Sequence, residues 1–288
     1  MKNSLGILLF LSSTWALAAS PAVVDGVQMP AWVERLGLLS PLAPGMELQS
    51  LDTLRTGRNA RVLLRMAEGS LVKLGENGLL RLTNLDRADD GKSVFKASLD
   101  VLKGAFRFTT DKLAGLRQRD VQVRVASITA GIRGTDVWGK ADDDKDIVCL
   151  IEGKISVQRG QEPAFSMEDP LSFYIAPKNQ PALPVQPVPM DKLAQWAKET
   201  EIGAGQGALR QGGKWKVNLV SASTQDAALD VYANARRKGY PAKIDPVKKG
   251  ARYTYHVRIA QLPSQEEAEV LALRLTEELG IPKPTVTR

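Results

Sequence analysis

Trp215-Lys216-Val217-Asn218-Leu219-Val220-Ser221 opens the last quarter of the chain, and its alternation of apolar and polar side chains is that of a half-buried strand. Tyr253-Thr254-Tyr255-His256-Val257-Arg258-Ile259 repeats the pattern further on. A helix start signal follows each run. Thr224 precedes an apolar stripe of Ala228, Val231, Tyr232 and Ala235 that ends at Gly239. Ser264-Gln265-Glu266-Glu267 is a capping box for a second helix that buries Ala268, Leu271, Ala272, Leu275 and Leu279 and stops at Gly280. Pro241, Pro246, Gly250 and Pro263 read as loop positions. The order strand-helix-strand-strand-helix-strand predicts a small sheet with both helices on one face and the other face free.

Strand side chains alternate between faces. With Trp215, Val217, Leu219, Tyr255, Val257 and Ile259 toward the helices, the free face carries Lys216, Asn218, Thr254, His256 and Arg258. This is a donor-rich platform with no aromatic stack. Residues 214–288 hold 13 Lys and Arg against 8 Asp and Glu, so +5 of the chain's formal +7 lies there. An anionic or polar polymeric partner follows from that asymmetry.

The N-terminus predicts export. Lys2, the apolar run from Leu5 to Leu11 and Ala16-Leu17-Ala18 form a cleavable leader over residues 1–18, with cleavage expected after Ala18. No later stretch approaches the length of a membrane span, so a periplasmic protein without a membrane span after cleavage is expected. Cys149, the single cysteine, excludes a disulfide within the chain and reads as a small core residue. One His and one Cys leave no material for a His-based metal cluster. No metal and no cofactor are expected.

Residues 22–175 show short β-type runs separated by turn chemistry at Glu68-Gly69, Gly75-Glu76-Asn77-Gly78 and Asp89-Asp90-Gly91. That spacing predicts an all-β sandwich or roll. Arg133-Gly134-Thr135 is its sharpest stretch. Arg133 either offers a planar fork to a carboxylate or pairs internally with an acidic residue while Thr135 closes the turn; the internal pair is favoured. Asp142-Asp143-Asp144-Lys145-Asp146 lacks the Gly and terminal Glu of a calcium loop and reads as a solvated hairpin tip.

Three motifs in this part, LDTLRTGRNARV at 51–62, GSLVKLG at 69–75 and AGIRGTD at 130–136, resemble the FecR domain in the family's order, over about residues 40–160. FecR domains are best known from iron-citrate signalling proteins that span the inner membrane. A chain with a cleaved leader departs from that arrangement, and the resemblance implies a stand-alone binding or scaffold module.

Residues 176–213 connect the two parts. Five prolines between 177 and 189 imply an extended, stiff segment, and residues 190–200 read as one short helix that packs back on the β domain. Five glycines within residues 203–213 predict a flexible tether with a reach of roughly 18 Å and two domains that move independently.

Residues 214–288 in turn resemble the SPOR domain, a peptidoglycan-binding module of ferredoxin-like βαββαβ fold. The likeness rests on VNLVSA at 217–222, VRIAQL at 257–262 and the helix openings QDAA at 225–228 and SQEEAE at 264–269. It places Asn218 and Ser221 at family positions associated with glycan binding. Val220 and Ala260 replace family glycines, and Ala222 and Leu262 replace phenylalanines, which predicts a retained fold with weakened or altered affinity.

The reading that follows is an exported, non-enzymatic protein. Its SPOR-like domain binds peptidoglycan glycan strands through Lys216, Asn218, Ser221, Thr254, His256 and Arg258, in cell division or wall remodelling. Another envelope protein is a partner for the FecR-like domain. The alternative is a periplasmic sensor acting through that domain. Nucleic acid is not expected as a partner, because RNA recognition on this topology needs outward aromatics. A wall hydrolase needs two carboxylates of separated pKa across a cleft, and no acidic pair stands out.

Overall fold

The computed structural model describes residues 20–85, 95–110, 119–250 and 252–288. The leader at 1–18, its cleavage after Ala18 and the turn at Asp89-Asp90-Gly91 lie outside them. The described residues from 20 to 189 form strands and turns without a helix. Their strands join into one large mixed sheet, in which the pairing of Phe95–Thr109 with Arg119–Val125 is the one parallel ladder among the described residues.

Phe95–Thr109 organises this body. Up to Lys103 it runs between Leu79–Leu85 and Arg119–Val125; from Gly104 it runs between Leu71–Leu74 and Asp136–Ala141. The switch occurs at Gly104, whose φ is 85° and where a Cβ would stand 2.8 Å from the Gly78 Cα. Both constraints demand glycine. Either side of the switch, Phe95, Leu99, Val101, Phe106 and Phe108 are buried. Each such side chain contributes roughly 1.5–3 kcal/mol.

Met190–Thr200 forms the expected helix and packs on the outside of the sheet. Trp196 stacks on Trp138 at 4.6 Å and meets Phe173 edge-on at 5.7 Å, over a second small core of Ala105, Trp138, Ile147, Cys149 and Val188. Lys140 pairs with Glu199 at 3.1 Å, and Arg107 pairs with Glu201 at 3.4 Å at the helix end.

The C-terminal part runs as expected: strand Trp215–Ala222, helix Gln225–Arg237, strands Lys243–Lys249 and Arg252–Leu262, helix Gln265–Leu279 and strand Thr285–Thr287. In space the second strand is outermost, followed by the third, the first and the last, all antiparallel. Thr224 and Ser264 cap the two helices through their hydroxyls, and Gly280 ends the second with φ 65°. Pro246 departs from its expected loop position. It lies inside Lys243–Lys249, an edge strand, the kind of strand in which proline is tolerated.

The expected flexible tether is not what forms. The buried Glu267 carboxylate accepts hydrogen bonds from the Gly205 N–H at 2.7 Å and the Ala208 N–H at 3.0 Å. Leu209–Arg210 adds a short strand to Ala22–Gln28 of the β body. Arg274 donates to the carbonyls of Gln206 at 2.7 Å and Met29 at 3.4 Å, and Gly239 packs on the Trp32 ring. The glycines serve conformation and contact instead. Gly205, Gly207 and Gly212 have positive φ, and a Cβ at Gly213 would meet the Gln261 carbonyl at 2.4 Å. The two parts are docked through this segment.

Candidate functional site

The small C-terminal sheet has one face under its helices and one open. Val217, Leu219, Val257 and Ile259 are buried beneath the helices, with Trp215 and Tyr255 packed beside them. This is the side expected for all six. The open face holds what lies between. Asn218 stands opposite Arg258, and Ser221 opposite His256.

Ser221 and Asn218 are three residues apart, and strict alternation would put them on opposite faces. A bulge between Asn218 and Val220 removes the conflict. Beyond it Val220 pairs with the buried Val257 and packs against the core, so the next residue, Ser221, turns outward. The result is a continuous row: the Asn218 side-chain amide donates to Ser221 Oγ at 3.0 Å, and Ser221 Oγ lies 2.8 Å from His256 Nδ1.

Arg258 is held at the same face by an ion pair from its Nε to Asp245 on the edge strand. Thr254 stands opposite Val247, which is exposed, and Lys216 opposite Thr287. All six residues expected at the site therefore share one surface. Asp245, Val247, Thr285 and Thr287 belong to it as well and were not anticipated. Pro246 had hidden the edge strand, and a three-residue final strand gives too short a pattern to read. Of the residues placed on this face, Asp245 alone carries a carboxylate. The face offers amide, hydroxyl, imidazole and guanidinium groups, which suit hydrogen bonds to a polar chain laid across the strands.

Residues 52–156 match the FecR protein family, and residues 211–288 match the SPOR domain. The chain carries a FecR domain followed by a SPOR domain. SPOR domains bind peptidoglycan, and the two domains together point to an envelope protein. Both are binding or regulatory domains without catalytic chemistry. Among the described residues no helix is long and apolar enough to cross a membrane.

None of the curated proteins compared with the chain matches it. Similar solved structures include two crystal structures of a candidate anti-sigma factor from Parabacteroides distasonis ATCC 8503, at 2.50 Å and 1.65 Å resolution. Each is 16% identical and covers 80% of this chain and 92% of its own, with TM-scores of 0.41 and 0.40.

In the SPOR domain the replaced glycines and phenylalanines do not crowd the open face. Val220 packs against the core, while Ala222 and Leu262 are buried within it. Ala260 lies beside a second irregularity of the first and third strands, where Gln261 takes φ 70°.

In the FecR domain the backbone of Thr135 pairs with Thr110, 25 residues away. Its N–H donates to Thr110 Oγ1 at 3.1 Å, and its carbonyl accepts from the Thr110 N–H at 3.0 Å. Gly134 supplies the positive φ of 77°. Arg133 differs from the favoured expectation. It is exposed and makes no ion pair among the described residues. Asp142, Asp143 and Asp144 form the exposed tip, but Asp146 is buried, pairing with Lys178 at 2.6 Å and accepting from the Ser127 N–H at 3.0 Å.

Proposed function

We propose that the SPOR domain binds peptidoglycan glycan strands on its open face. Lys216, Asn218, Ser221, Thr254, His256 and Arg258 would supply the hydrogen bonds. The observation that carries this reading is the Asn218–Ser221–His256 row, three side chains from two strands held in mutual register on the face opposite the helices. The FecR domain, taken as a β sandwich or roll over residues 22–175, acts as a binding or scaffold module. The SPOR domain, residues 214–288, takes the ferredoxin-like fold, and residues 176–213 connect the two. The protein is exported with cleavage after Ala18 and works in the periplasm, in cell division or wall remodelling. It is not an enzyme, and neither a cofactor nor nucleic acid enters its function.

Co-sedimentation of the mature chain with purified peptidoglycan, before and after amidase treatment, tests the reading. Pelleting that rises on amidase-treated material and falls in Ser221→Ala/His256→Ala is expected. Absence of pelleting with either material would overturn it.

A sensor role through the FecR domain is the second reading. The docking of the two domains through Glu267, Arg274 and Gly239 favours it, because a ligand on the SPOR face then acts on a body attached to the FecR sheet. A phenotype that survives loss of wall binding but not loss of the FecR domain would favour signalling.

A further inference from the structure

The FecR domain holds a concavity apart from the SPOR face. Four strand neighbours place Gln122, Gly131, Ser156 and Ser166 in one line across the sheet, each directly opposite the next. Their flanking residues Val121, Val123, Ile132, Ile155, Val157 and Met167 are buried on the other side, so the line faces solvent. Gly131 makes it a trough. A Cβ there would stand 2.5 Å from Ser156 Oγ, in the space that is now open. Asp120, Arg133 and Lys154 border the same space, and its volume is about 490 Å³, within the usual range for a small-molecule site.

The charges at the border are unspent. Asp120 would face Arg133 if the ladder continued past Val121 and Ile132, but the strand ends at Ile132 and the chain bends at Arg133. Neither makes an ion pair among the described residues, nor do Gln122, Ser156 and Ser166 make side-chain hydrogen bonds there. Lys154 has a single distant partner, Glu168 at 3.8 Å, with both side chains largely exposed. Such a surface pair is worth little. The trough thus presents an unpaired anion and an unpaired cation on its borders, with amide and hydroxyl groups between them.

We propose that this trough binds a short zwitterionic peptide. Its carboxylates lie on Arg133 and Lys154, its ammonium on Asp120, and its amides meet Gln122, Ser156 and Ser166 above Gly131. A neutral sugar would leave both border charges unused, and no aromatic lines the trough to stack on one. The planar guanidinium of Arg133 suits a carboxylate, which it can take in two parallel hydrogen bonds. The site is independent of the SPOR face.

Isothermal titration of the mature full-length chain tests this with three probes: alanyl-glutamate, its N-acetylated form, and alanyl-glutamine. Saturable binding of alanyl-glutamate is expected, weakened about tenfold by N-acetylation, the size of one lost charge-assisted hydrogen bond. Alanyl-glutamine, which lacks the second carboxylate, should bind more weakly as well. Arg133→Gln should weaken alanyl-glutamate by about tenfold or more. Asp120→Asn should weaken the free-amine dipeptide and leave the N-acetylated one unchanged. Gly131→Val, which fills the trough without touching a charge, should abolish binding. Thermal unfolding and peptidoglycan pelleting of Arg133→Gln and Asp120→Asn should match the parent, which separates failure of this site from failure of the fold or of wall binding. No saturable heat at millimolar alanyl-glutamate, or equal affinity in the parent and Arg133→Gln, overturns the proposal.

Discussion

Ser221 Oγ lies 2.8 Å from His256 Nδ1 across two neighbouring strands, although period-two alternation counted from Val217 would send Ser221 into the core. The bulge before Val220 makes the pair, and the pair makes the open face of the SPOR domain a connected surface rather than scattered polar groups. One hydrogen bond joins the two residues, so their effects on binding should not add. Ser221→Ala and His256→Ala are each expected to weaken peptidoglycan pelleting by about tenfold. The double variant should lose little more than the worse single. Additive losses in half-saturating concentration would mean that the two side chains work independently.

Glu267 decides whether the domains stay docked. The residue is 8% exposed, and its carboxylate satisfies the N–H groups of Gly205 and Ala208. Glu267→Ala strands two backbone donors and should cost about 1–3 kcal/mol. It should also release residues 203–213. Limited proteolysis should cut that segment in Glu267→Ala much faster than in the parent chain. Equal cleavage rates would restore the picture of a free tether.

The same segment marks where sequence pattern stops being informative. Apolar alternation and capping boxes carry their partners in their spacing, so Val217, Ile259, Ser264 and Gly280 could be placed from the chain alone. Glycine carries no such mark. A run that supplies left-handed φ at Gly205 and Gly207 and a close approach at Gly213 looks the same as a flexible linker, because what requires the glycines is Glu267, Leu271 and Gln261, distant in sequence. Alternation already put Asn218 on the open face, but Ser221 was found by resemblance; a bulge leaves no trace in alternation. Asp245 was hidden by the neighbouring Pro246, which is tolerated because its strand is an edge.

Gly104 should be harder to replace than Gly134, although both take left-handed backbone. The strand Phe95–Thr109 changes neighbours there with φ 85°, against the backbone of Gly78. Gly104→Ala meets strained backbone and a 2.8 Å contact at once, and should destabilise by more than about 1 kcal/mol. Gly134→Ala has a similar φ of 77° but open space around it, so it should cost less. Chemical denaturation of the two variants checks the order, and an equal loss would mean that the contact with Gly78 contributes nothing.

Cys149 should be silent in the native protein and should weaken it at alkaline pH. The side chain is fully buried beneath the helix Met190–Thr200, and burial, with Asp136 nearby, pushes its thiol from 9.0 up to about 12. The thiolate is the reactive form, so a disulfide reagent at pH 8 should label it only as fast as the chain opens. Trp196→Ala removes the ring stacked on Trp138 and should speed labelling markedly. The sign of the pH effect follows from proton binding. Below about pH 9 the thiol is protonated in both states and contributes no pH dependence. Between about pH 9 and 12 the unfolded chain gives up the proton and the folded chain keeps it, so unfolding is favoured as pH rises. Tyr240 acts in the same direction, its phenol pushed above 10.0 by burial and by its hydrogen bond to Glu278. Cys149→Ala should therefore lose less stability than the parent between pH 9 and 11, measured as the change in denaturant midpoint. A parallel decline of both proteins would show that the thiol stays protonated in neither state or in both.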